Sequence, residues 1–167
     1  MNFIKTSVTA IGLCLALASP VMAIETGKVA PDIDLAIGAT PQKLSSFKGK
    51  VVYLDFWASW CGPCRQSFPF MNDMQSKYSA KGLQIIAINL DAKKDDADQF
   101  LANVPAKFSV AYDPKGDSAK RYEIKGMPSS VLIGADGKVI AVHQGFKDED
   151  RKELEAKFAS ALAAATN

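Results

Sequence analysis

The stretch VVYLDFWASWCGPCR, Val51 to Arg65, decides how the chain is read. Val51 to Trp57 is almost continuously apolar, β-branched and aromatic, the composition of a strand covered on both faces. From Cys61 to Tyr78 the residues Phe68, Met71, Met74 and Tyr78 recur at near-helical spacing, and Pro63 falls in the first turn, where its missing N–H is tolerated. A CxxC pair thus opens a helix directly after a strand. At that point unpaired amides and the positive end of the helix dipole favour a thiolate on Cys61. One helical turn brings Cys64 close enough to attack a mixed disulfide formed on Cys61.

Outward from this stretch, strands and helices alternate. Leu83 to Leu90 reads as a second buried strand, Lys94 to Ala102 as a polar-faced helix, Phe108 to Tyr112 as a short strand and Asp117 to Tyr122 as a short helix. Ser129 to Ile133 and Lys138 to His143 flank Gly134-Ala135-Asp136-Gly137 as a hairpin, and Leu154, Phe158 and Leu162 form one stripe of a last helix. Gly27 to Asp34 reads as extended, and Leu44 to Lys50 as a turn delivering the chain to the core. The predicted fold class is α/β: a mixed sheet flanked by helices on both faces.

The chain has 167 residues, 48% of them hydrophobic and 23% charged, with 20 basic and 18 acidic residues interleaved. This fits one globular domain and gives no electrostatic footprint for nucleic acid. Met1 to Ala23 carries Lys5, an apolar stretch from Val8 to Ala18, Pro20, and small or aliphatic residues before Ile24, the pattern of a cleavable secretory signal peptide. The expected domain is therefore 24–167, exported to the periplasm, with no membrane-spanning segment after the signal is removed. Cys14 lies within the leader, which leaves Cys61 and Cys64 as a pair in a compartment where thiols oxidise.

That pair is expected to be redox-active, with no cofactor beyond its own disulfide. A zinc site would need two further ligands, and His143 is the only histidine. A passive staple closing so short a loop would stabilise little. Asp55 shares a strand face with Val51, Tyr53 and Trp57, so its carboxyl is expected to be desolvated, with a raised pKa suited to proton exchange with the resolving thiol. Met127-Pro128 precedes a strand, where a proline marks an edge, a turn or a cis bond. His143 is given no role.

Phe56 to Arg65, with Asp55 before and Pro69 after, resembles the active-site stretch of the thioredoxin superfamily, and Met127-Pro128 resembles its cis-proline loop. The leader, Ala30-Pro31-Asp32, Leu44 to Lys50 and the extra helical segment after Asp91 make the chain more similar to exported TlpA/ResA-like thiol-disulfide oxidoreductases than to cytosolic thioredoxin. The resemblance implies a thioredoxin-like fold with a helical insertion, nucleophilic Cys61, resolving Cys64 and buried Asp55. It also implies substrate contact at Trp60, Gly62, Pro63, Met127 and Pro128. Three positions depart from the pattern. Ala87 stands where cytosolic thioredoxins place a lysine, Ser67 where many exported members have an acidic residue, and Asp91 and Ala92 where ResA-like proteins have an active-site glutamate.

The function this implies is reduction of disulfides in substrate proteins, most often within cytochrome c maturation, with a membrane thiol transporter as electron donor. The alternatives are a disulfide oxidant or isomerase, separable by reduction potential, and a copper(I)-binding chaperone using the two soft sulfurs. Peroxidase chemistry ranks last, since Ala58 stands where peroxiredoxins carry threonine.

Overall fold

The computed structural model describes residues 24–166. The leader, with Cys14, lies outside the described residues. Seven strands and four helices follow in the order β1 (Asp34–Leu35), β2 (Gln42–Lys43), β3 (Val51–Trp57), α1 (Gly62–Tyr78), β4 (Leu83–Asn89), α2 (Lys94–Asn103), β5 (Ser109–Tyr112), α3 (Asp117–Arg121), β6 (Ser129–Ile133), β7 (Val139–Gln144) and α4 (Asp150–Ala165). Five strands make the main sheet in the order β5-β4-β3-β6-β7. β3 pairs parallel with β4 and antiparallel with β6, so the sheet is mixed and β3 is its centre.

Every residue of β3 is buried, Asp55 included, as a near-continuous apolar run requires when both faces are covered. Val51, Tyr53 and Trp57 face one core, filled by α1, α2 and α4 through Phe68, Met71, Phe100, Leu154 and Phe158. Val52, Leu54 and Phe56 face the other core, closed by the segment before β3 and by residues in and around α3. The expected mixed sheet with helices on both faces is the observed architecture, and α2 is the extra helical segment.

The differences lie at the ends of elements. Leu44 to Phe47, read as a turn, is a short 3-10 helix. β1 and β2, unforeseen in the sequence, form a separate two-stranded ribbon in which Asp34 and Lys43 lie opposite one another, their side chains paired at 2.8 Å. Two residues per strand are too few for any hydrophobic period to be visible. Their pairing depends on contacts such as the Leu44 N–H donated to the Ile33 carbonyl.

The core beneath the CxxC turn is aromatic. Phe68 sits 4.9 Å from Trp57, 5.1 Å from Phe100 and 5.2 Å from Phe108, ring centre to ring centre, in edge-to-face arrangements. Such pairs contribute beyond the area they bury. Phe68 is fully buried, so Phe68→Ala should destabilise the oxidised protein by about 3–5 kcal/mol. Urea unfolding measures this; a loss of under about 1 kcal/mol would mean the four rings do not pack as a unit.

Candidate active site

β3 ends at Trp57, and the chain turns through Ala58, Ser59 and Trp60 before α1 begins at Gly62. The turn is closed by the Cys61 N–H donating to the Ala58 carbonyl at 3.1 Å. Cys61 is the N-cap of α1 with extended backbone angles, and its sulfur accepts the Cys64 N–H at 3.2 Å. The helix was expected to begin at Cys61; it begins one residue later, which places Cys61 where a side chain can take an otherwise unsatisfied amide. Cys61 and Cys64 form a disulfide with Cα atoms 5.3 Å apart. Cys61 keeps 5% of its surface exposed and Cys64 none, while Trp60 beside them is 73% exposed.

Gly62 has no left-handed backbone angle, and a Cβ added there would meet nothing. Neither sterics nor backbone strain demands glycine at this position. Pro63 occupies the first turn, as expected of a residue without an N–H to satisfy.

β6 begins at Ser129, opposite Phe56, so Met127 and Pro128 lie beside the end of β3, where the CxxC turn starts. The Met127–Pro128 peptide bond is cis. The loop is held by the Ser129 hydroxyl donating to the Gly126 carbonyl and by the Gly145 N–H donating to the Pro128 carbonyl. Met127 packs against the cluster that contains both cysteines.

Asp55 is 2% exposed, opposite Ala87 on β4 and Ser130 on β6. Its Oδ2 has no hydrogen-bond partner among the described residues. Burial alone pushes its carboxyl well above the usual carboxylate range. Nearby, Tyr53 donates its hydroxyl to Ser130 Oγ at 2.7 Å, and burial together with the Asp55 charge raises its phenol.

A second buried carboxylate was missed as a contributor to the site. Asp91 follows the end of β4 and accepts the Ser59 N–H at 2.8 Å and the Ser59 hydroxyl at 2.9 Å. The Asn89 side-chain amide donates to the same carboxylate at 2.7 Å. Two signals pointed to it: its place where ResA-like proteins have an active-site glutamate, and topology, since residues just past the carboxyl ends of adjacent parallel strands gather at one edge of the sheet. The Trp57 indole N–H, buried beneath, has no partner among the described residues.

Residues 25–158 match the family model described as Redoxin. The chain belongs to this family. Within it, the chain is 40% identical over 131 residues to the thiol-disulfide oxidoreductase ResA of Bacillus thuringiensis subsp. konkukian (strain 97-27), covering 78% of this chain and 74% of that one. ResA of Bacillus subtilis (strain 168) is 29% identical across 88% of this chain and 87% of its own. A crystal structure described as a candidate thiol:disulfide interchange protein DsbE from Chlorobium tepidum superposes with a TM-score of 0.81 at 56% identity, covering 84% of this chain and 99% of that one. This Redoxin-family protein has the thioredoxin-like fold and is a thiol-disulfide oxidoreductase whose CxxC pair forms the disulfide.

Among the described residues, no group of three or more histidine, cysteine, aspartate or glutamate side chains is placed to hold a metal ion. Nor is any helix of these residues long and apolar enough to cross a membrane.

The raised Asp55 carboxyl has a consequence for stability. It binds its proton more tightly in the folded than in the unfolded chain, so folding loses free energy as pH rises above the ordinary carboxylate range. Asp55→Asn removes that loss. The variant should melt at a higher temperature than the parent at pH 7, with the gap closing below about pH 3, where both states are protonated. Melting of the oxidised proteins across a pH series tests this, and a variant less stable than the parent at pH 7 would contradict the assignment.

Proposed function

We propose that this oxidoreductase works in the periplasm as a reductant of disulfides in substrate proteins, with Cys61 as nucleophile, Cys64 as resolving thiol and Asp55 as the proton acceptor for Cys64. The observation that carries the reading is the asymmetry of the pair: Cys61 caps the helix and keeps a small exposed surface, whereas Cys64 lies wholly buried one turn behind it. The Cys61 thiolate attacks one sulfur of a substrate disulfide, forming a mixed disulfide and releasing the other sulfur as a thiolate. Cys64 gives its proton to the Asp55 carboxylate and attacks the Cys61 sulfur. The second substrate sulfur leaves with the electron pair, and the Cys61–Cys64 disulfide remains. Two electrons pass to the substrate.

Exposed Trp60, Gly62 and Pro63 in the turn and first helical residues around Cys61, with Met127 and Pro128 beside the end of β3, are the residues against which a substrate segment would lie. The direction of the reaction rests on the neighbours of Cys61. Beyond the Cys64 N–H, Gly62 and Pro63 put no extra side-chain donor or positive charge beside its sulfur, and buried Asp55 disfavours a second negative charge nearby. A less stabilised thiolate means a more stable disulfide, hence a stronger reductant. An exported reductant needs renewal, for which a membrane thiol transporter is the proposed donor. The leader at 1–23 supports export, and cytochrome c maturation is the role that the ResA-like resemblance implies.

Equilibration with glutathione buffers should give a potential nearer the about −270 mV of thioredoxin than the about −120 mV of DsbA. A value near the latter would make the protein an oxidant. Alkylation of the reduced protein at neutral pH should modify Cys61 first, and faster reaction at Cys64 would reverse the assigned roles. Asp55→Asn should slow turnover near pH 7 while approaching the parent rate above about pH 9, where a thiol ionises without help. Equal rates across the whole series would remove Asp55 from the mechanism.

A further inference from the structure

Asp91 is 5% exposed, makes no ion pair among the described residues, and meets Ser59 with both of its carboxylate oxygens. Oδ2 takes the Ser59 N–H and the Asn89 amide, and Oδ1 takes the Ser59 hydroxyl. Asn89 is held in turn, its side-chain oxygen accepting the Asp91 N–H at 3.1 Å. The Leu90 N–H donates to the Trp57 carbonyl at 2.9 Å, which extends the parallel pairing of β3 and β4 by one bond and brings Asp91 level with Ser59. A buried carboxylate without a cation is costly unless hydrogen bonds satisfy it. Here the satisfying donors belong chiefly to the turn that carries the reactive sulfur.

We propose that Asp91 is a positioning residue for the nucleophile: by gripping Ser59 through two bonds it fixes the turn from Ala58 to Cys61, and so sets Cys61 as the cap of α1. Only two planar peptide units separate Ser59 from Cys61, so a clamp on the first limits where the second can stand. The 3.2 Å contact between the Cys64 N–H and the Cys61 sulfur depends on that placement. In the reduced protein the same amide stabilises the thiolate, since hydrogen bonds to an ionised group are the stronger kind. Asp91 acts through backbone geometry and does not touch the reacting atoms.

The inference rests on Cys61 being the nucleophile, as proposed above, and the test separates the two. The rate of iodoacetamide alkylation of the reduced full chain is followed against pH, with the modified cysteine identified by mass spectrometry. In Asp91→Ala the Ser59 and Asn89 donors lose their acceptor, the turn relaxes, and the Cys61 titration midpoint should move upward, lowering the rate at pH 7 by about fivefold. Asp91→Asn should stay close to the parent. Its amide oxygen can replace Oδ2 and its NH2 can donate to the Ser59 hydroxyl, which is free to accept. Ser59→Ala, losing one of the two bonds, should shift the midpoint in the same direction by less. A fall in melting temperature alone would not move the midpoint of the folded protein.

An Asp91→Ala protein that folds and titrates with the parent overturns the proposal. So does an Asp91→Asn protein displaced as far as Asp91→Ala, since charge and not hydrogen bonding would then be responsible. If Asp91→Ala does not fold, Ser59→Ala decides, and an unmoved midpoint there overturns it. Parent protein modified first at Cys64 would instead overturn the reading of Cys61.

Discussion

Strand β3 is bonded on both sides, parallel to β4 and antiparallel to β6, and its carboxyl end is therefore fixed against two neighbours before the helix begins. Each neighbour contributes one part of the site. β4 leads to Asn89 and Asp91 beneath the turn, and β6 is preceded by Met127 and Pro128 beside it. β3 itself leads into Cys61 and holds Asp55. The Cys61 sulfur is thus placed by backbone pairing at the end of the central strand, a better foundation for a site than a loop alone.

Two buried carboxylates lie near this edge, and their environments differ in kind. Asp55 is flanked across the sheet by Ala87 and Ser130 and has an oxygen without a partner among the described residues, so desolvation dominates and its proton is held tightly. Asp91 is met by three donors, which satisfy it as a carboxylate. One acid is left with an open oxygen and the other is held by its donors, the contrast on which the two proposed roles rest. The absence of a basic residue at position 87 leaves burial alone to tune Asp55.

The central elements were legible because their signals are local. Val51 to Trp57, Leu83 to Asn89 and Ser129 to Ile133 are predominantly apolar and β-branched, and Gly134 to Gly137 announces the hairpin between β6 and β7. Cys61 and Cys64 were legible for the same reason, being three apart at a strand-to-helix junction. The neighbourhood of Met127-Pro128 to the cysteines came from resemblance, since no local pattern states which strands pair. Asp91 escaped because Ser59 lies 32 residues away in sequence, and only the parallel pairing of β3 with β4 brings the two together. The ribbon of β1 and β2 escaped because tertiary contacts define it.

The segment ahead of β3 touches both margins of the sheet. Val29 bridges to Lys138 at the start of β7, with Ala30 bonded to Gly137 and Gly27 to Val139, and further along Ile37 bridges to Ala111 on β5. Both outer strands, each a template for pairing with another chain, are thereby partly covered by one early stretch of polypeptide. Its partner on β7 lies near the far end of the sequence, so this protection is among the most non-local contacts in the molecule and carries a large loop-closure cost. Until the hairpin forms, the outer edge of the sheet is open to neighbouring chains, and the interval before strapping is when aggregation competes with folding.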